Sequence, residues 1–366
     1  MTTWLEINKK NIIHNLKAFR KIIGEKKLLM PVIKSNAYGH GLIEIARLID
    51  GSKLIDKIAV VNSDEALCLV NNKIKTPIII LSYWSNEHVA KLIKHNCEFT
   101  VYDIKQARYL NQLRKKIKIH LKVDTGTTRL GQLEKNFISF VKKIQSFPYL
   151  QIESVFTHYA NSEEDNEFTK QQNFKLRSIK KNLELLNIHT KYHAACSAAV
   201  LSNTDNHLDG MRLGLSFYGY WPSPQTKIYA AKKYPWLKLK PALIWKAQII
   251  QIKEIPKNNF IGYGCTYKTT RTTKIAVLPV GYYEGYNRLL SNQSLVLVKN
   301  KLCKVVGRVC MNLTMVDVTD IKNVKSGDEV ILMNRKITPD YLAEKCNSIN
   351  YEFIARINPL LPRIYK

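Results

Sequence analysis

The 366-residue chain is 45% hydrophobic and 23% charged, which excludes a disordered protein and allows two domains or one large α/β barrel with a smaller partner. Seven cysteines without C-x-x-C spacing, and no H-E-x-x-H, argue against a disulfide framework and a metal site. The formal net charge of +28 is spread from end to end among many Ile and Asn, so it reads as a solvated basic surface rather than a nucleic-acid stripe.

The N-terminus, MTTWLEINKKNIIHNLKAF, carries charge throughout and lacks the apolar core of a signal peptide, and no apolar run reaches the roughly 18 residues of a membrane span. The expected location is the cytoplasm. KNIIHNLKAFRKII has apolar residues at helical spacing. Eight short apolar runs follow in order: KLLMPVIK, KIAVVN, TPIIIL, CEFTVY, IKIHLKVDT, IESVFTHY, YHAACS and MRLGLSFYG. Between them lie amphipathic segments such as GLIEIARLID, SNEHVAKLIKH, DIKQARYLNQLRKK and QQNFKLRSIKKNLELL. Continuous rather than alternating apolar strands imply burial on both faces and hence a parallel sheet. Eight β–α units predict a (β/α)8 TIM-type barrel, with the seventh and eighth runs the least strand-like.

After about residue 235 the texture changes. LKLKPALIWKAQIIQIKEI, TTKIAVLPV, QSLVLVKNKLCKVVGRV and DEVILM are β-branched runs broken by Asn, Gly and Lys, and helical spacing returns only at TPDYLAEKC. All nine histidines precede residue 208. The expected organisation is a barrel over residues 1–233 and a mostly β C-terminal domain over 234–366.

Catalytic groups of such a barrel gather at the C-terminal strand ends. Strand one ends in Lys34, with Tyr38 just beyond. Strand five carries Lys122 and Asp124, then Arg129. Strand six ends in His158, strand seven in Ser197, and strand eight carries Arg212 and Gly214. Each has an ordinary role available. A strand-end lysine is usually solvated, Ser197 can cap a helix, and Arg212 can pair with a structural carboxylate. Together they suit a phosphorylated aromatic aldehyde: an amine for a Schiff base, an imidazole for an aromatic face, and small or hydroxylated residues for a phosphate.

V-I-K-S-N-A-Y-G-H-G closely resembles the cofactor-attachment motif of the alanine racemase family. The likeness runs through the chain in order: K-V-D-T-G-T-T-R-L-G, T-H-Y-A, H-A-A-C-S-A, R-L-G-L-S-F-Y-G, G-Y-G-C-T-Y, V-G-Y-Y-E-G-Y-N-R, G-R-V-C-M-N-L-T-M-V-D and N-Y-E-F. The resemblance implies pyridoxal 5′-phosphate held by Lys34 as an aldimine, and racemisation by two bases, Lys34 and Tyr263. Tyr263 would come from a partner subunit, so the protein would be a homodimer with shared sites. His158 would help set the environment of Tyr263, and Arg212 would donate to the pyridine nitrogen. Tyr38, Ser197, Gly214, Leu215 and Tyr351 would hold the phosphate, and Arg129 with Met311 the substrate carboxylate. Lys122 matches a lysine that is carbamylated in some members. Tyr282, Arg288 and Arg308 match residues at the entrance. The implied product, D-alanine, serves peptidoglycan.

The pattern slips in places. Cys196 stands for a usual Asn, Thr127 for Met, Glu284 for Asp and Asn287 for Pro, and the ending I-N-P-L-L-P-R lacks a usual arginine. Asn312 replaces a common Asp beside Met311, which leaves a serine or broad-specificity racemase as the alternative. Decarboxylases of the same fold lack a G-Y-G-C-T-Y segment like that of Tyr263, and the C-terminal domain argues against a simple cofactor carrier.

Overall fold

A computed structural model describes residues 1–164 and 166–366. The chain packs as two units: Ile13–Ser35 with Leu42–Lys240, and Met1–Ile12 with Asn36–Gly41 and Pro241–Lys366.

The first unit is built on eight strands: β1 (Leu28–Pro31), β2 (Ile58–Val60), β3 (Ile78–Ile80), β4 (Cys97–Val101), β5 (Ile117–Asp124), β6 (Leu150–Phe156), β7 (Lys191–His193) and β8 (Gly210–Leu213). Parallel pairing runs β2-β3-β4-β5-β6-β7, and β8 pairs in parallel with β1. Single bridges, Val32 to Ala59 and Ala195 to Met211, join β1 to β2 and β7 to β8 and close the ring. The result is the eight-fold barrel that the apolar runs predict. Strands β1 to β4 and β8 are buried at every residue, as expected of strands covered on both faces. Strands β7 (KYH) and β8 (GMRL) carry Lys191, His193 and Arg212 among few apolar residues, which is why their runs read so weakly.

Helices follow the strands, among them Leu42–Ile49, Ser63–Asn71, Asn86–Ile93, Ile104–Gln112, Glu134–Gln145 and Glu167–Leu185. Several begin on a side-chain cap: Asn62 accepts from Glu65 N, Asp103 from Lys105 N and Asn166 from Thr169 N. The closing pair β8–β1 depends on Gly210, where a Cβ would sit 2.7 Å from the Leu28 Cβ and 2.8 Å from its carbonyl oxygen.

The second unit is mostly β. Its larger sheet runs in the order Lys301–Lys304, Leu295–Val298, Glu329–Met333, Leu243–Gln248, Thr3–Ile7, Arg363–Tyr365. All pairings are antiparallel except the last, where the strand nearest the N-terminus lies parallel to the one nearest the C-terminus. A second antiparallel sheet holds Gln251–Ile255, Thr273–Leu278 and Thr314–Asp317. Trp245, with no solvent exposure, packs edge-on against Tyr286 at 5.9 Å. Among the described residues, no helix is long and apolar enough to cross a membrane.

Candidate active site

Lys34 leaves the barrel directly after β1. The Val32 and Ile33 amides, donating to Leu213 O at 2.8 Å and Ala59 O at 2.9 Å, anchor the segment that carries it. The backbone then turns in an unusual sense: Ser35, Asn36, Ala37 and Tyr38 all have φ between 51° and 54°. Left-handed residues other than glycine cost about 1–2 kcal/mol each, so four in a row need external support. Glu65 supplies it at the start, with one carboxylate oxygen accepting from Ser35 N (2.6 Å) and the other from Val61 N (2.9 Å). Within the second unit, His40 closes the turn by donating from Nδ1 to the Ala37 and Tyr38 carbonyls at 3.1 and 2.9 Å. Burial drives the His40 pKa down to about 3, so this ring is a neutral, fixed donor.

Around the strand ends of the first unit, positive groups collect. Burial first, then the Arg129 and Arg212 charges, lower the pKa of Lys34, against a smaller opposing pull from Glu65. Lys122 is pushed down to about 7, by burial first and then by Arg212, Arg129 and Lys34. Lys122, Asp124, Arg129 and His158 line one small cavity. Its loop is tied by Asp124, whose Oδ1 accepts from Gly126 N at 2.9 Å and Thr128 N at 3.1 Å. The Thr127 hydroxyl donates to the His158 carbonyl, which also accepts from Gln172 Nε2 at 3.2 Å.

Arg212 is 4% exposed and, among the described residues, has no carboxylate partner, which speaks against the structural ion pair as its role. NH1 donates to His193 Nδ1 (2.5 Å) and His193 O (3.3 Å), and NH2 to Thr157 O and Ala194 O (both 2.8 Å), with His158 Nδ1 at 3.2 Å. These contacts use the hydrogens of both terminal nitrogens. Among the described residues no acceptor meets the Nε–H, which remains available to an incoming group. Burial, then the Arg212 charge, hold His158 well below the usual histidine range, so its ring is neutral.

Ser197 opens the short helix Ser197–Ser202, but the residue before it, Cys196, is the cap. The Ser197 hydroxyl accepts instead from Gly214 N (3.1 Å) and Ser216 N (3.4 Å) beyond β8. Leu215 begins the 3-10 turn Leu215–Tyr218 there. With its oxygen accepting from two amides, the Ser197 hydroxyl keeps its own hydrogen to donate to an acceptor such as a small oxyanion.

In the second unit, the Tyr38 and Tyr351 rings lie 6.4 Å apart. Tyr263, 71% exposed, rides a turn between Gly262 (φ 74°) and Gly264 (φ 71°). A Cβ on Gly264 would strike the Arg308 guanidinium at 2.8 Å. Tyr263, Tyr282, Arg288, Arg308, Met311 and Asn312 line one open cavity of about 510 Å³. Its wall is held by Tyr282 N and Tyr283 N, which donate to Cys310 O at 3.1 Å and Met311 O at 2.9 Å. Gly281 is required for that approach, because a Cβ would lie 2.1 Å from Cys310 O. Asn312 Nδ2 donates to Glu284 Oε1 at 2.8 Å, and Glu284 Oε2 accepts from Gly281 N, so two of the departures from the family pattern are partners.

Sequence reading missed Glu65 and a buried set behind Arg212: His193, Ser154, His120 and Glu98. Their signal was present as polar side chains inside the apolar runs CEFTVY, IKIHLKVDT, IESVFTHY and YHAACS. An apolar run signals a strand and does not specify which polar side chains the fold brings together inside it.

A family profile described as "Alanine racemase, N-terminal domain" matches residues 7–222, and its C-terminal counterpart matches residues 242–365. The alanine racemase of Clostridium perfringens (strain SM101 / Type A) is 40% identical over 376 residues, covering 99% of this chain and 95% of that protein. The alanine racemase of Methanococcus maripaludis is 36% identical over 375 residues, covering 99% and 98%. Among solved structures, the alanine racemase of Clostridium difficile 630 superposes with a TM-score of 0.93 at 32% identity, covering 100% of this chain and 96% of that one.

Proposed function

This chain belongs to the alanine racemase family of amino-acid isomerases, and from that premise we propose that it interconverts L- and D-alanine using pyridoxal 5′-phosphate. We further propose that it works as a homodimer, and that its D-alanine goes to peptidoglycan. The observation that carries the reading is a desolvated strand-end lysine in the same cluster as a guanidinium whose Nε–H meets no acceptor among the described residues.

The donors present fit the cofactor. Lys34 would hold its aldehyde carbon, Arg212 Nε would face the ring nitrogen, and Ser197 with the Gly214 and Leu215 backbone would take the phosphate, with Tyr38 and Tyr351 in the same role. When bound, the cofactor supplies an electron-poor ring that acidifies the Cα–H of an attached amino acid. Because a guanidinium keeps its proton, Arg212 donates a hydrogen bond without protonating the ring, which limits electron withdrawal to what racemisation needs. His158 packs as a neutral ring behind this arrangement. Arg129 and the amide of Met311 of the partner subunit would hold the substrate carboxylate. Lys34 would move the proton on one face of Cα and Tyr263 of the partner subunit on the other. Tyr282, Arg288 and Arg308 would line the approach.

Lys122 joins three other cations in this cluster. With a pKa of about 7, much of its amine is neutral at physiological pH and can add to carbon dioxide, releasing one proton and leaving a negatively charged carbamate beside Arg129. In ¹³C-bicarbonate the protein should show a carbamate resonance. That signal should fade as pH falls below about 7 and the amine protonates, and it should be missing in Lys122→Met. Persistence of the signal in that variant would assign it elsewhere.

The experiment that tests the function is a chiral assay of L-Ala, L-Ser and L-Lys on purified protein supplied with the cofactor. D-alanine should dominate. Dominant D-serine would favour the alternative raised by Asn312, and no D-product would end the proposal. In the same assay Asn312→Asp should lower kcat/KM for L-alanine rather than improve it. The new carboxylate would stand where an amide donates to Glu284 at 2.8 Å, and a like-charge pair at that solvent-exposed position costs on the order of 1 kcal/mol unless one member takes up a proton.

A further inference from the structure

Resting on the reading of Arg212 as the ring-nitrogen donor, we infer that Glu98, acting through His120, Ser154 and His193, is a positioning residue that fixes the hydrogen-bond polarity behind Arg212.

The relay walks across the barrel one strand at a time. Glu98 lies on β4, His120 on β5, Ser154 on β6, His193 on β7 and Arg212 on β8. All five are at most 4% exposed. The contacts are continuous: Glu98 Oε2 to His120 Nε2, 2.7 Å; His120 Nδ1 to Ser154 Oγ, 2.6 Å; Ser154 Oγ to His193 Nε2, 3.0 Å; His193 Nδ1 to Arg212 NH1, 2.5 Å. Lys57, just before β2, closes the far end on Glu98 at 2.5 Å. The chain thus climbs from near the N-terminal end of β4 to the last residue of β7 and the Arg212 guanidinium.

Its direction is forced by chemistry. Arginine only donates, so His193 Nδ1 must accept and the proton must sit on Nε2. That proton goes to Ser154, whose hydroxyl hydrogen goes to His120 Nδ1. The remaining His120 proton, on Nε2, goes to Glu98. The order is self-consistent only if both rings are neutral and Glu98 is ionised. Burial lowers the pKa of both histidines, and Glu98 is held near 2 by the His120 and Lys57 contacts, against its own burial. A buried polar series of this length is a poor way to stabilise a barrel core, since well-packed apolar residues usually serve as well or better. As a device for directing a lone pair at Arg212 it has a purpose. The guanidinium is held through both terminal nitrogens, and among the described residues its Nε–H meets no acceptor.

Reversing the relay would set a His193 Nδ1–H against an Arg212 N–H, donor against donor. Glu98→Gln keeps the shape of the side chain but offers His120 a donor as well as an acceptor. Glu98→Asp keeps the charge but is a methylene shorter. A packing role therefore predicts that the Asp variant is the worse, and the relay predicts that the Gln variant is.

The test is ¹⁵N NMR of the histidine-labelled full chain, with resonances assigned by single His→Gln variants. Wild type and Glu98→Asp should show His193 protonated on Nε2 alone. Glu98→Gln should populate the Nδ1-protonated form and lose on the order of tenfold to a hundredfold in kcat, with KM changed less. A wild-type His193 protonated on Nδ1 overturns the inference whatever the variants do, as does a Gln variant that matches wild type in tautomer and kcat. The tautomer is read without substrate. A wild-type chain that racemises nothing would remove the proposed function and leave the relay polarity measured.

Discussion

Lys34→Ala is expected to abolish racemisation, with a loss on the order of 10⁴-fold or more in kcat/KM, because the residue is assigned both the cofactor's carbon and one of the two protons. The physical basis is the placement of the amine. Lys34 follows a fully buried strand, and burial with two guanidinium charges disfavours its ammonium form. As the pKa is lowered, the neutral amine that can attack a carbonyl or accept a proton is present at a lower pH than for a solvated lysine. Lys34→Arg keeps the charge and much of the length but cannot supply that neutral amine, so it should be as inactive as the alanine variant. The measurements are chiral product analysis and the visible absorption of protein-bound cofactor, which should vanish in both variants. Retained turnover in Lys34→Ala would sink the assignment.

Tyr263→Phe should lower racemisation by roughly 10²–10⁴-fold while leaving cofactor binding and fold nearly unchanged. Only an oxygen is removed, from a side chain 71% exposed on its own chain, so little packing is lost. The equilibrium constant between enantiomers is unity, and loss of one base must therefore slow both directions of kcat/KM equally. Exchange of the Cα hydrogen with solvent deuterium behaves differently. The enantiomer whose hydrogen faces Lys34 should still exchange, without inversion, and the other should not. Equal exchange of both enantiomers in the variant would mean that Tyr263 is not the second base. A variant as active as wild type would mean the same. Because Tyr263 and Met311 line one cavity, and Tyr263 is assigned to the neighbouring subunit's site, mixing inactive Lys34→Ala and Tyr263→Phe chains should restore some activity through sites that carry neither lesion.

Much of the barrel was legible in the sequence because a parallel strand covered on both faces is apolar at most positions, and eight such runs stand out even with Glu98, His120, Ser154 and His193 inside them. The motif order identified the family for a related reason: glycines, a strand-end lysine and hydroxyls sit where backbone approach or anion contact permits few alternatives. Gly281 and Gly210 illustrate it, since a Cβ at either would collide with backbone atoms. The N-terminal strand was not legible. Thr3–Ile7 alternates weakly, and its partners, Leu243–Gln248 and Arg363–Tyr365, lie more than two hundred residues away, where no local pattern reaches.

Sequence alone determined the apolar strands of the barrel and which residue types stand at their ends, because those follow from local burial and periodicity. Tertiary structure alone decided how those residues are wired. Arg212 could have paired with a carboxylate, but folding surrounds its terminal nitrogens with carbonyls and a histidine lone pair, and among the described residues no acceptor meets its Nε–H. Asn312 read alone looked like a lost carboxylate, whereas beside Glu284 it is a hydrogen-bond partner. Hydrogen-bond direction and pKa depend on what sits a few ångströms away in space, and linear order does not specify that neighbourhood.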